Sequence, residues 1–145
     1  MSITYSTIKD ENELEILHDR QSFRYTYDDV TMDSLKKHFK LKDSLYIFAK
    51  QDNEFAGFCS IDRGWWEDNI FFIREILVDP TFQKQGIGEE LMSRCVKHAQ
   101  EKGAIAVVTE TDFKNIPMQS LCTKLGFKKW ENPQWNKGIT YKLIF

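Results

Sequence analysis

The segment ILVDPTFQKQGIGEEL, residues 76–91, passes from a β-rich run through a turn into a glycine-bearing loop, and from there into a helix. The run begins upstream as IFFIREILV (70–78), dense in β-branched and aromatic residues, and it stops at Asp79-Pro80. Beyond the loop, GIGEELMSRCVKHAQEKG (86–103) sets Ile87, Leu91, Cys95 and Ala99 on one stripe, with Met92 and Val96 beside it, the period of a helix with one buried face. Gly103 is a natural C-terminal stop. AIAVVTET (104–111) then reads as a buried strand. Strand, helix, strand implies a parallel pair joined by a right-handed crossover.

Working outward, NIPMQSLCTKLG (115–126) predicts a short helix, with Pro117 tolerated in its first turn. GFKKWE (126–131) and GITYKLIF (138–145) close the chain as strands. On the N-terminal side ITYSTI (3–8) predicts a first strand, and Asp10 caps a helix through Leu14 and Leu17. A second helix is expected from Thr31 or Asp33, with Met32, Leu35 and Phe39 on one face. SLYIFAK (44–50) and EFAGFCSID (54–62) are strand-like and joined by the turn residues QDN, and IDRGWWEDN (61–69) is a turn. The pattern is α/β with a mixed sheet.

Bulk properties narrow the function. A chain of 145 residues, 41% hydrophobic and 29% charged, suits one globular domain, 1–145, and not a disordered chain. A net charge of −2 speaks against a nucleic-acid partner, which favours a strongly basic face. The lysines at 124, 128, 129 and 137 read as solvated, with room for a role at a single phosphate group. Cys59, Cys95 and Cys122 show neither metal-ligand spacing nor a disulfide framework, so no metal is expected and reduced thiols are. The acidic N-terminus is unlike a signal peptide, and no apolar run approaches the roughly 20 residues of a membrane span. A cytoplasmic protein with no membrane partner is expected, as a monomer or homodimer. His18, His38 and His98 fall on predicted helices and read as surface or satisfied residues.

Chemistry is carried by the loop. A helix N-terminus offers free N–H groups and a partial positive charge. Gly86 and Gly88 let an anion approach the backbone, so the segment reads as a phosphate cradle, with Lys84 as an added charge. There is no P-loop and no GxGxxG. Alone, a GxG before a helix is equally a tight turn.

Two motifs together resemble the GNAT superfamily of N-acetyltransferases. Gln83, Gly86 and Gly88 match that family's Gln/Arg-x-x-Gly-x-Gly/Ala loop. Asn115 opens a second motif that ends in Gly126-Phe127. With the flanking elements, the resemblance extends over essentially the whole chain. It implies a twisted mixed sheet of about six to seven strands with about four flanking helices, and central strands splayed by a bulge to hold acetyl-CoA as co-substrate. Backbone amides of Lys84, Gln85, Gly86, Ile87, Gly88 and Glu89 would bind the pyrophosphate. Ile76, Leu77 and Val78 would pair with the pantetheine arm, and Asn115 would bond the arm, cap its helix, or both. Lysines after Cys122 would meet the 3′-phosphate.

The implied reaction is direct attack of a primary amine on the thioester. Many relatives carry a tyrosine acid seven residues after the Asn. Cys122 stands there in this chain, either as a proton donor or as a packed core thiol, the reading preferred here. Glu75 is the first candidate base and Glu110 the second. Strict strand alternation would place Arg74 and Glu75 on opposite faces. In polyamine-acetylating relatives the base matches Arg74, which weakens Glu75 as base and speaks against a polyamine substrate. Trp65, Trp66, Trp130 and Trp135 either receive a cationic acceptor or pack the ends of the domain. The acceptor is expected to be a small amine-bearing molecule or a peptide amine. The alternative function is an acetyl-CoA-binding sensor or scaffold with little catalysis.

Overall fold

Asp52 and Asn53 adopt positive φ, 52° and 66°, which sets the tight hairpin between the second and third strands. In this computed structural model, describing residues 2–23 and 25–145, that hairpin forms part of a seven-stranded sheet. The strands are β1 (Ile3–Thr7), β2 (Leu45–Gln51), β3 (Glu54–Asp62), β4 (Ile70–Val78), β5 (Ala106–Thr111), β6 (Lys128–Trp130) and β7 (Ile139–Ile144). Their order is β1-β2-β3-β4-β5-β7-β6. Every neighbouring pair is antiparallel except β4–β5, which is parallel. A parallel pair needs a crossover, and α2 (Ile87–Glu101) supplies it. The α/β class and the mixed sheet stand as expected.

The helices differ from expectation in detail. α1 (Asp29–Phe39) begins before Thr31, because the Asp28 carboxylate accepts the Thr31 N–H at 3.0 Å and caps the helix there. The expected first helix is a 3₁₀ segment, Glu11–Leu17, closed by a capping box. Asp10 accepts from Asn12 at 2.8 Å, and Glu13 receives the N–H of Asp10 at 3.0 Å. α3 (Ile116–Lys124) starts at the Asn115 cap with Pro117 in its first turn. Among the described residues the flanking helices are thus three α-helices and two 3₁₀ segments, the second at Pro80–Phe82.

Both faces of the sheet are covered. On one face Ile47, Cys59, Ile61, Phe71 and Ile73 pack against Leu91, Met92 and Cys95 of α2 and Met118 and Cys122 of α3. On the other, Tyr46, Phe58 and Leu77 meet Leu14, Leu17, Tyr27, Met32 and Leu35. Each fully buried aliphatic side chain contributes about 1.5–3 kcal/mol, enough to fix β4 between two layers. All three cysteines are free and buried, with Cys59 and Cys95 Sγ atoms 3.6 Å apart. No helix is long and apolar enough to cross a membrane among the described residues.

Candidate active site

The central strands part halfway along their length. β4 and β5 pair from Ile70↔Ala106 to Ile73↔Thr109 and no further. At the fork the Thr109 hydroxyl donates to the Ile73 carbonyl at 3.1 Å. The cause lies across β4. Ser60 pairs with Glu75 and Ile61 with Ile73, so Arg74 is an extra residue without an opposite number on β3. Such a bulge bends its strand and increases the local twist. The backbone edge from Arg74 to Val78 is thereby turned away from β5.

The bulge also resets the side-chain alternation. Ile73 faces α2, while the Arg74 guanidinium lies 4.9 Å from the Phe72 ring centroid on the opposite face. Glu75 follows on that same face, reaching Tyr27, and Ile76 returns to the α2 side. The expectation that Arg74 and Glu75 point to opposite faces is therefore corrected: the extra residue puts them side by side. Arg74 is committed to Asp62, with N–H groups donating at 2.8 and 2.9 Å to a carboxylate that has no solvent exposure. A β-carbon on Gly64 would lie 2.5 Å from that guanidinium and 2.7 Å from Asp62 Oδ1, so a larger residue there would displace the pair.

At the far end of β4 the chain turns through Asp79, whose carboxylate accepts from Thr81 at 2.9 Å. The Gln83 side chain donates to the Val78 carbonyl at 3.3 Å and ties the loop to the strand end. Lys84 and Gly86 both take left-handed φ, 65° and 77°. No side chain caps α2 at Gly86. The N–H groups of Ile87, Gly88 and Glu89 therefore begin a helix without an acceptor, beside the exposed Lys84, Gln85 and Gly86. Ile87 is buried and pins the turn, and Glu89 pairs with Lys124 at 2.8 Å. A helix N-terminus of this kind, at the mouth of an opened strand edge, fits a pyrophosphate followed by an extended amide-bearing arm.

A cavity of about 240 Å³ occupies the fork, and Tyr25, Glu75, Glu110, Asn115, Trp135 and Lys137 are among its walls. Glu75 Oε1 receives two hydroxyls, from Tyr25 and from Tyr27, the latter at 2.8 Å. The two rings are stacked, with centroids 5.7 Å apart. Burial pushes the Glu75 carboxyl above its ordinary pKa, and the tyrosine bonds pull it partly back. Burial and the neighbouring carboxylate push both phenols up, so they remain protonated donors. Glu110 receives Asn132 Nδ2 on Oε2 at 3.3 Å. Burial raises its pKa too, and the nearby Arg74 charge opposes the rise.

The remaining sequence candidates divide. Asn115 lines the cavity, and its Oδ1 accepts the Met118 N–H at 3.2 Å, the helix cap. Cys122 lies fully buried in the core and is absent from the cavity wall, and burial pushes its thiol up to about 12. Trp65, Trp66 and Trp130 do not line the fork cavity. They stack on one another, with Trp65 against Phe72 at 5.3 Å and Lys142 over Trp130 at 4.6 Å. Ring contacts hold them there although Trp66 stays 52% exposed; Trp65 and Trp66 line a separate surface pocket with Glu67 and Asp68, and Trp135 is the tryptophan that reaches the cleft. Tyr25, Tyr27 and Asn132 were not anticipated. The one sequence signal was Tyr-Thr-Tyr at 25–27, whose alternation turns two phenols to one side of an extended segment.

Comparison with known proteins agrees with this geometry. The chain is 43% identical over 54 residues to the mycothiol acetyltransferase of Arthrobacter sp. (strain FB24), covering 37% of this chain and 17% of that protein. It is 30% identical over 83 residues to a Bacillus subtilis (strain 168) protein named as a ribosomal protein bS18-alanine N-acetyltransferase, covering 57% of this chain and 53% of that one. The chain thus matches about half or less of the length of these relatives. The crystal structure of a PaiA N-acetyltransferase from Thermoplasma acidophilum in complex with coenzyme A superposes over 100% of both chains, with a TM-score of 0.75 at 19% identity, a likeness of fold. The family model described as the acetyltransferase (GNAT) family matches residues 13–127, and with that span covering most of the chain, this protein belongs to that family.

Proposed function

We propose that this chain is an acetyl-CoA-dependent N-acetyltransferase acting on a primary amine by direct attack. The observation that carries the reading is the succession of three features along β4 and the loop that follows it. They are an uncapped helix N-terminus behind a glycine loop, an opened strand edge, and a cavity whose lining includes Glu75, Glu110 and Asp112. Acetyl-CoA supplies the acetyl group as a thioester. The N–H groups from Lys84 to Glu89 hold its pyrophosphate. The edge at Ile76, Leu77 and Val78 pairs with its pantetheine arm, and the Asn115 amide N–H, left over from the cap, bonds the same arm. A backbone N–H of β4 near Val78 polarises the thioester carbonyl.

Glu110 takes the proton from the attacking amine. It lines the cavity and, among the described residues, has one long hydrogen bond on Oε2, whereas Glu75 Oε1 is already engaged by two hydroxyl donors. This reverses the order of preference drawn from the sequence. Cys122 is given no part in protonating the departing thiolate. A buried thiol pushed up to about 12 holds its proton more tightly than an ordinary thiol, and it lies outside the cleft. Solvent serves instead.

The test is acetyl-CoA binding by calorimetry, followed by thiol release across a panel of small amines and N-terminal peptides. Binding with release for one amine class supports the proposal; failure to bind acetyl-CoA refutes it. Binding with no release for any amine supports the sensor alternative. Glu110→Gln is expected to lower kcat by about 10²–10⁴-fold. Because the Glu110 pKa is raised, the base form is lost as pH falls through a value above the ordinary carboxylate range. The acid limb of kcat/KM lies there and disappears in Glu110→Gln.

A further inference from the structure

Glu75 is a carboxylate set into the wall of the cleft and held there by hydroxyl donors. Its Oε1 takes the hydroxyls of Tyr25 and Tyr27, both neutral. Among the described residues no lysine, arginine or histidine makes an ion pair with it. Arg74, its neighbour in sequence and on the same face, is bound through two bonds to Asp62. Lys137 lines the same cavity, and its ammonium is not paired with Glu75. Partly buried charges are ordinarily paired. Two stacked tyrosines hold this one in a single orientation in a cavity open to a ligand, and Glu110 stands across the fork on β5.

We propose that Glu75 reads a second positive charge on the acceptor, so that the favoured acceptor is a dibasic amine: one amine reacts beside Glu110 while the other cation rests on Glu75. The inference rests on the acetyltransferase reading above and names its substrate class. Tyr25 and Tyr27 are positioning residues that fix the Glu75 carboxylate. Tyr25, 42% exposed as a residue, and Trp135 add aromatic side chains to the same cavity and suit a cation. Dibasic chemistry occurs both in free diamines and in peptides with a basic side chain near a free N-terminus. The mismatch at Arg74 that speaks against a polyamine concerns a base at that position, and a second-cation site at Glu75 with the base at Glu110 stands apart from it. The bulge at Arg74 makes the site possible, because strict alternation would turn Glu75 to the α2 face.

The experiment compares kcat/KM with saturating acetyl-CoA for α,ω-diamines and n-alkyl monoamines of equal length. A second arm uses peptides with a free N-terminus that carry Lys or norleucine at the second or third residue. In the parent protein the dibasic member of at least one arm is preferred about tenfold or more, the effect of one ion pair. The arm that shows the preference identifies the source. In Glu75→Gln the ratio falls toward one, whereas Glu110→Gln depresses both members alike and leaves the ratio standing. Tyr25→Phe, which removes one donor and keeps the ring, lowers the ratio in part and serves if Glu75→Gln does not fold. Equal turnover of mono- and dibasic acceptors in both arms overturns the inference and leaves the acetyltransferase reading intact. A Glu75→Gln variant that slows both members equally also overturns it. Absence of thiol release with every amine removes the underlying reading and this inference with it.

Discussion

Two glycines two residues apart are expected to respond to alanine with opposite signs. Gly86 sits at φ 77°, and a β-carbon built on it meets nothing within 4 Å. The penalty of Gly86→Ala is therefore backbone strain alone, about 1–2 kcal/mol. Gly88 has ordinary helical backbone, and its β-carbon would meet Leu121 Cδ2 at 3.4 Å and Val78 Cγ2 at 3.6 Å, normal contact distances. Gly88→Ala narrows the unfolded ensemble and gains about 0.4–1 kcal/mol. The variants should differ by roughly 1.5–3 kcal/mol, or about 5–10 °C in melting temperature for a chain of this size. Calorimetric melting of the ligand-free proteins measures it. The Gly88 β-carbon points at Leu121 and Val78, not along the free N–H groups, so acetyl-CoA affinity should survive in Gly88→Ala. In Gly86→Ala it weakens to the extent that the loop relaxes out of its left-handed turn. The argument is refuted if Gly88→Ala melts at or below Gly86→Ala.

Two further outcomes follow from burial. Cys122→Ala is expected to cost about 1 kcal/mol of stability, as for a small core truncation, and to leave the kcat of thiol release unaltered. A large loss of kcat with an unchanged melting temperature would return Cys122 to the chemistry. Glu75→Gln is expected to melt above the parent at neutral pH. The Glu75 pKa is raised in the folded state, so as pH rises the unfolded chain releases this proton first, and folded stability falls from the ordinary Glu pKa up to the raised one. Glutamine cannot ionise, yet its Oε1 still accepts both tyrosines. The gain should vanish below about pH 4, near the unperturbed carboxylate, and pH-dependent melting curves would show it.

The elements of this fold were legible because their signals are local. The stripe Ile87, Leu91, Cys95 and Ala99 needs only the helical period, and all four are buried in α2. The glycine loop announced itself through Gly86, whose φ of 77° is one that most L-residues adopt only with strain. Lys84 adopts the same left-handed region without any such mark in its identity. The candidate site was legible only in part, because it depends on register. Nothing within IFFIREILV reveals that Arg74 is supernumerary, since a bulge exists only relative to Ser60 and Ile61 on the neighbouring strand. A period of two applied through that residue assigns the wrong face to one of Arg74 and Glu75. The Glu75 partners are equally non-local: Tyr25 and Tyr27 arrive from a segment about 50 positions upstream, between a 3₁₀ turn and α1. The tryptophans show the converse. Trp65, Trp66 and Trp130 read either as cation receivers or as packing, and the structure gathers them, from a turn and an edge strand, into one ring cluster away from the fork. What a sequence period cannot supply here is the one-residue offset in β4. That offset opens the strand edge to a cofactor and turns Glu75 toward the tyrosines, so the binding edge and the acceptor wall share one structural cause.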